Sequence, residues 1–400
     1  MVAVVTHFCY AANHVFSSAA FHGVTMSKDS LSLDMTSCRL RQQRLIQILQ
    51  SSDLERAIIV GAENVHYLTG YRLPSDFFVG AVCLDTDGWC GLVSANEVPQ
   101  QAAVDDAVAY PAQWIATLRQ EQMETLSQSL INLLDKRQPV IRMGIESSRF
   151  GPFLAEAVGV SDFRQTTDIE PQLWQLRRKK DPDELLMIRR AIACSEAMYV
   201  RAREVIAPGI TELDVYSQLR ATAIEVAGER LTACGNDYQC NSPGGAPRPR
   251  PVESGELYVL DLGPGYRGYY ADNCRTFAVD GKPSDQQLKA WELIVSVLEM
   301  VERTVQPGVR CADLFQEAKT MLDQYRVDSF CHHLGHGIGL FPHEAPHLNP
   351  NWDDVFQEGE VFTAEPGLYG PELKAGIRLE QNYLVTNNGI ERLTSFPLDL

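Results

Sequence analysis

Cys331–Pro346, CHHLGHGIGLFPHEAP, sets three histidines, His332, His333 and His336, among glycines and follows them with a His343-Glu344 pair. Glycines at 335, 337 and 339 permit close backbone approach, so the run reads as a backbone shaped around His336 rather than as ordinary core packing. Its weight depends on acids placed elsewhere in apolar runs. Upstream lies Gly255–Phe277, GELYVLDLGPGYRGYYADNCRTF; downstream lie Val361–Tyr369, VFTAEPGLY, and Gly376–Thr386, GIRLEQNYLVT. Asp261, Glu365 and Glu380 sit there among Val, Leu, Ile and Phe, where a lone carboxylate costs several kcal/mol unless it is paired or metal-bound.

Leu257–Leu262 reads as a buried strand broken only by Asp261. The turn residues GPGYRGYY then return the chain to Asp272. A hairpin sets these two carboxylates side by side, where like-charge repulsion is severe without a cation. With Glu365 and Glu380 the site holds four negative charges and one neutral imidazole, His336. Two divalent ions balance that charge and leave a bridging hydroxide as nucleophile, the arrangement of a two-metal hydrolase. Mixed oxygen and nitrogen ligation suits Mn, Co, Zn or Fe(II).

These segments resemble, in residue type, order and spacing, the creatinase/aminopeptidase P/prolidase family of pita-bread metallohydrolases. The resemblance spans about Arg178 to Thr386, and the phrase NVHYLTGYR at 64–72 is similar to that family's creatinase-type N-terminal domain. It implies that Asp261 chelates one metal, that Asp272 and Glu380 bridge both, and that His336 and Glu365 hold the other. It further implies Glu365 as proton shuttle and His343 at the substrate or the tetrahedral intermediate. His332 would line the substrate pocket, and Arg378 would orient ligands or bind a substrate carboxylate. A homodimer is implied too. The chain departs from the pattern in the loop Asn241–Arg250, NSPGGAPRPR, which lacks the usual substrate-contacting histidine; either Arg248 or Arg250 takes over a contact there, or the loop is a solvated surface loop and the substrate is not an ordinary peptide. Cys274 and Gln381 stand where the family usually has a threonine and an acid.

The expected fold is an α/β N-terminal domain over residues 36–170 and an α+β pita-bread catalytic domain over 171–400 with a pseudo-two-fold internal repeat. Glu204–Leu219, EVIAPGITELDVYSQL, matches Arg303–Ala318, RTVQPGVRCADLFQEA, through its Pro-Gly break and the helix start after it. In the N-terminal domain, apolar spacing predicts a helix from Cys38 with Leu40, Leu45, Ile46 and Leu49 on one face. RAIIVG and VIRMGIE read as strands, FFVGAVCLD and WCGLVS as a hairpin, and 114–134 as a helix. At the junction, Asp181, Pro182 and Glu184 form a helix start. Arg177–Lys180 reads as a solvated linker face, His333 as a packed core histidine, and Glu344 as a partner to a ligand. Residues 1–35 lack both periodicity and a signal-peptide pattern and read as a disordered extension.

A net charge of -17 argues against nucleic acid and anionic membrane as partners. The ten cysteines form no CxxC pair, which favours reduced thiols and a cytoplasmic setting. Three functions fit. The first is a metallo-exopeptidase of the Xaa-Pro dipeptidase or Xaa-Pro aminopeptidase kind, acting on small peptides. The second is a creatinase-like hydrolase of a small non-peptide C–N compound. A non-catalytic binding module ranks last, because all five ligand positions are filled.

Overall fold

The computed structural model describes residues 31–400. The expected extension falls mostly on residues 1–30, outside the described residues. Its final residues belong to the fold: Leu33 is buried, and Asp34 caps the helix Met35–Ser51 through Ser37 N–H while its own N–H donates to Asp183.

The first sheet has six strands, in the order Asp106–Tyr110, Cys90–Ala95, Ala81–Asp85, Arg56–Ile59, Met143–Ile145, Thr166–Asp168. Its central strands are apolar on both sides because both faces are covered. Ala57, Ile59, Val82 and Leu84 pack with Leu45 and Leu49 of the first helix. The alternate residues Ile58, Ala81, Cys83 and Val93 pack with Leu126, Leu130 and Leu133 of the helix Gln122–Leu134. That helix starts later than the sequence suggests: Gln113–Trp114 and Thr117–Leu118 form a small exposed hairpin instead.

The first helix also corrects its expected face. Leu40 is exposed, whereas Arg41 and Gln42 are buried. Arg41 turns inward because Asp181 and Asp183 await its guanidinium at the start of the next long helix. Arg177, Arg178 and Lys180 are likewise buried rather than solvated. Arg177 and Lys180 pair with Glu344, and Arg178 pairs with Glu360 and Asp354.

The second part of the chain repeats one plan. Helix Pro182–Val205, begun by the Asp181/Glu184 capping box, is followed by Pro208-Gly209 and helix Glu212–Ala227. Helix Asp285–Thr304 is followed by Pro307-Gly308 and helix Cys311–Leu322. The correspondence extends to single hydrogen bonds. Gly209 N–H donates to Val252 and Gly308 N–H to Phe356; Val252 N–H returns to Ile210 and Phe356 N–H to Val309; Glu212 N–H donates to Arg250 and Cys311 N–H to Asp354. Both glycines have left-handed φ, 95° and 96°, which no β-branched residue would tolerate at so tight a break.

Each helix pair leads into an antiparallel sheet. The first comprises Asp237–Cys240, Leu257–Asp261 and Cys274–Ala278. The second runs Glu344–Leu348, Gly335–Gly337, Val361–Ala364, Gln381–Thr386, Gly389–Arg392. Arg378 N–H, at the end of the strand Ala375–Arg378, donates to the Thr276 hydroxyl and Glu380 N–H to Cys274 C=O, tying the chain just before Gln381–Thr386 to the sheet of Cys274–Ala278 where the candidate ligands converge.

Candidate metal centre

Asp261 ends its strand directly opposite Cys274, and Asp272 lies two residues before Cys274 on the returning chain. The turn between them is itself a short hairpin, Pro264–Tyr266 against Tyr269–Tyr270, so the carboxylates face each other from two chain ends rather than from one tight turn. Glu380 follows the strand Ala375–Arg378, and Glu365 follows Val361–Ala364. His336 is held in the strand Gly335–Gly337. A Cβ on Gly335 would lie 2.0 Å from the Thr363 carbonyl oxygen, and one on Gly337 2.2 Å from that of Ala345. The glycines are therefore required by close backbone approach on both sides of the histidine.

Oxygen atoms of Asp261, Asp272 and Glu380 lie within 4.8 Å of one another. Asp272 also meets His336 and His343 within that limit, as do His333, His336 and Glu365. His336 Nε2 is 3.5 Å from Glu365 and 3.7 Å from Asp272, so the two groups of donors adjoin through Asp272 and His336. Residue types and spacing suit divalent cations that accept carboxylate oxygen and imidazole nitrogen.

The energetics carry the same signature. Glu380 is 0% exposed, and neither of its carboxylate oxygens has a hydrogen-bond partner among the described residues. Burial, then the neighbouring Asp272, Glu365 and Asp261 charges, pushes its carboxyl well above the usual range. Asp272 is raised by burial and by Asp261 and Glu365, and Glu365 by burial and by Asp261. Buried unpaired acids are expensive, and bound cations remove the cost. His336 is pushed the other way, chiefly by burial, and so stays neutral with a lone pair available. Its Nδ1 lies 3.1 Å from the Gly337 carbonyl oxygen, which favours Nε2 as the free donor atom.

His343 is exposed and stacks on His336 with ring centroids 3.7 Å apart. It also lines a cavity of about 580 Å³ bordered by Trp174, Phe341 and Trp352. His332 contacts Tyr369 through Nε2 at 2.8 Å. Arg378 donates to Asp261 at 2.8 Å, to the Tyr369 hydroxyl at 3.1 Å, and to Asp237. Glu344 stays out of the cluster, held by Arg177 and Lys180.

Two expected residues are not brought to the centre. Arg248 makes a two-pronged pair with Glu212, and Arg250 pairs with Glu256. Both partners are buried acids that the loop itself closes over, and they claim the guanidiniums first. Only backbone of this loop meets the site's polar network: Pro243 C=O accepts from Arg378 and Gly245 N–H donates to Asp237.

Sequence reasoning misses His333, Asp237 and Tyr369. His333 Nδ1 lies 3.3 Å from Glu365, and its position three residues before His336 is the signal that could have found it. Asp237 carries no motif; only its register opposite Asp261 reveals it. Tyr369 lies in the quoted Val361–Tyr369 stretch, where nothing distinguishes it from ordinary strand filling. Gln381 and Cys274 suit their places: the Gln381 amide oxygen accepts from buried Arg275 at 2.9 Å, and Cys274 is a buried thiol opposite Asp261.

Comparison with known proteins finds relatives that match along 90% of the chain. The chain is similar to the Xaa-Pro dipeptidase of Pyrococcus horikoshii, 25% identical over 362 residues covering 90% of this chain and 97% of that protein. It is 26% identical to the Xaa-Pro dipeptidase of Pyrococcus furiosus over 364 residues, covering 90% and 99%. The crystal structure of the P. horikoshii prolidase superposes with a TM-score of 0.76 at 23% identity, over 90% of this chain and 99% of that one. That of the Thermotoga maritima X-Pro aminopeptidase gives 0.74 at 23%, over 90% and 98%. The architecture is thus a creatinase-type N-terminal domain joined to a pita-bread catalytic domain. The creatinase/prolidase N-terminal domain model matches residues 41–179, and the model of metallopeptidase family M24 matches 187–387. With the matched segment holding every carboxylate and histidine of the centre, the chain belongs to metallopeptidase family M24.

Proposed function

We propose that this protein is a two-metal exopeptidase that hydrolyses the amide bond before proline in small peptides, as an Xaa-Pro dipeptidase or Xaa-Pro aminopeptidase. The observation that carries the reading is Glu380, a fully buried carboxylate with both oxygens unpartnered among the described residues, beside three further acids. Asp261, Asp272, His336, Glu365 and Glu380 would hold two divalent ions from the set Mn, Co, Zn and Fe(II). Such ions polarise the scissile carbonyl and lower the pKa of the attacking water. Glu365, whose proton affinity is raised, is suited to take that proton and return it to the leaving nitrogen. His343, exposed and stacked on His336, is placed to donate to the developing oxyanion. His332 and Tyr369 form one wall of the substrate site. Arg378 is engaged with four protein partners, Asp237, Asp261, the Tyr369 hydroxyl and the Pro243 carbonyl, and is held by these groups rather than open to a substrate carboxylate.

One observation favours a second reading, hydrolysis of a small non-peptide C–N compound. The loop 241–250 supplies no side chain to the site, since Arg248 and Arg250 are paired elsewhere. A panel of Xaa-Pro dipeptides, longer Xaa-Pro peptides and small amidino or amide compounds, run with each of the four metals, separates the two. Cleavage of an Xaa-Pro bond is expected. Turnover of the small compounds alone would replace the first reading with the second.

A further inference from the structure

Asp237 stands outside every ligand group, yet its carboxylate touches Arg378, the only guanidinium paired with a ligand carboxylate of this centre among the described residues. It is the first residue of its strand and lies directly across from Asp261. One of its oxygens accepts from Arg378 Nη2, the nitrogen that also donates to Asp261 at 2.8 Å. Its other oxygen accepts Gly245 N–H at 2.7 Å. Arg378 is 8% exposed, so its charge must be answered by protein groups rather than by water.

The charge balance then identifies the role. Asp261, Asp272, Glu365 and Glu380 supply the four negative charges that two divalent ions would neutralise. Arg378 brings one further positive charge into contact with Asp261. Unanswered, that guanidinium competes with a cation for the Asp261 carboxylate and repels the cation as well. We propose that Asp237 is the internal counter-ion of Arg378, a positioning residue that cancels the guanidinium charge and leaves Asp261 free to bind metal. The same carboxylate fixes the loop tip: a Cβ on Gly244 would lie 2.4 Å from Asp237 Oδ2, so the loop can approach Asp237 this closely only because glycine stands there.

The inference rests on the two-metal reading and is tested by metal affinity rather than turnover. Mn²⁺ binding to the full-length protein is measured by isothermal titration for the parent, D237N, R378Q and the double variant D237N/R378Q. D237N, which keeps shape but removes the counter-charge, should weaken Mn²⁺ binding by about ten-fold or more. The double variant removes both charges and should return to within about three-fold of the parent. R378Q alone should bind Mn²⁺ at least as tightly as the parent. A merely structural role predicts the opposite for the double variant, which would then bind no better than D237N. Parent-like affinity in D237N, or failure of the double variant to recover, overturns the proposal while leaving the metal reading intact. If D237N does not fold, R378Q decides: a ten-fold loss of Mn²⁺ affinity there overturns the counter-ion role. A parent protein that takes up no Mn²⁺, Co²⁺, Zn²⁺ or Fe²⁺ overturns the two-metal reading and this inference together.

Discussion

Glu212 of the first repeat and Cys311 of the second occupy the same place in the hydrogen-bond pattern, one donating its N–H to Arg250 and the other to Asp354. Beyond those two positions the repeats part. In the first repeat the charges close within the repeat: Glu212 holds Arg248, Glu256 holds Arg250, and the loop 241–250 presents only backbone to the site's polar network. In the second, the segment from Gly339 to Asp354 is held from outside. Glu344 is gripped by Arg177 and Lys180, and Asp354 by Arg178. That external anchorage leaves His343 facing the centre. A duplicated backbone supplies strand ends for carboxylates in both halves, and the destination of each loop's ion pairs decides which half brings a loop side chain to the centre.

Single substitutions test how far the two repeats differ. The largest effect is expected from E380Q, which should lower kcat/KM by about a thousand-fold or more, or about 4 kcal/mol. The same change should raise the melting temperature of chelator-treated protein at neutral pH, because the amide is uncharged without taking up the proton that burial forces on the carboxyl. Calorimetry with and without metal checks both signs; a metal-free protein destabilised by E380Q would contradict the charge argument.

Next comes a matched pair of truncations. E344A strands Arg177 and Lys180 without their shared anion and should cost about 3–5 kcal/mol in denaturant unfolding. E212A leaves the buried Cys240 N–H unpartnered but frees an Arg248 that can reach water, and should cost about 1–3 kcal/mol. Equal costs would mean that the external anchor is no tighter than the internal one.

A pH series tests the carboxylate crowding on the second repeat's side. Burial and Asp261 raise Glu365 to about 8 in the metal-free fold, against an ordinary glutamate value of 4.5. Between those values the unfolded chain has released a proton that the folded chain still holds, so the metal-free protein loses stability as pH climbs from 4.5 to 8. Melting temperatures at pH 5 and pH 8 should show that fall, and E365Q should lessen it, the raised Asp272 and Glu380 carboxyls keeping the rest. The smallest effect belongs to R248A and R250A, each expected to change kcat/KM by less than about two-fold. A ten-fold loss in either would return the loop to the substrate site.

The parts legible in the sequence are those governed by local pattern. The strands Arg56–Ile59, Ala81–Asp85 and Leu257–Asp261 announce themselves because both faces of a covered strand must be apolar, and the Pro-Gly breaks mark both repeats. Asp261, Asp272, His336, Glu365 and Glu380 stand out because acids and a glycine-framed histidine are conspicuous in such surroundings. The features that escape are set by partners far along the chain. Nothing local says that Arg41 will be buried against Asp181 and Asp183, or that Arg177 will find Glu344. The same distance hides Asp237, whose meaning arises only when Arg378 arrives 141 residues later. Arg248 and Arg250 fail as expectations for that reason too: their charge is plain in the sequence, but the acids that compete for it are not.

The buried bridge from the first sheet to the active loop has a consequence for cooperativity. Glu146 accepts from the Asn64 side-chain amide, Asn64 accepts from Arg177, and Arg177 donates to Glu344, the neighbour of His343. A polar relay of this kind cannot be half made, since each buried member left alone costs more than it returned in company. The His343 loop therefore reaches its folded shape only when the amino-terminal sheet is in place. The two parts should melt as one unit, and a catalytic part excised at Pro182 should bind metal on its central strands yet lack an ordered His343.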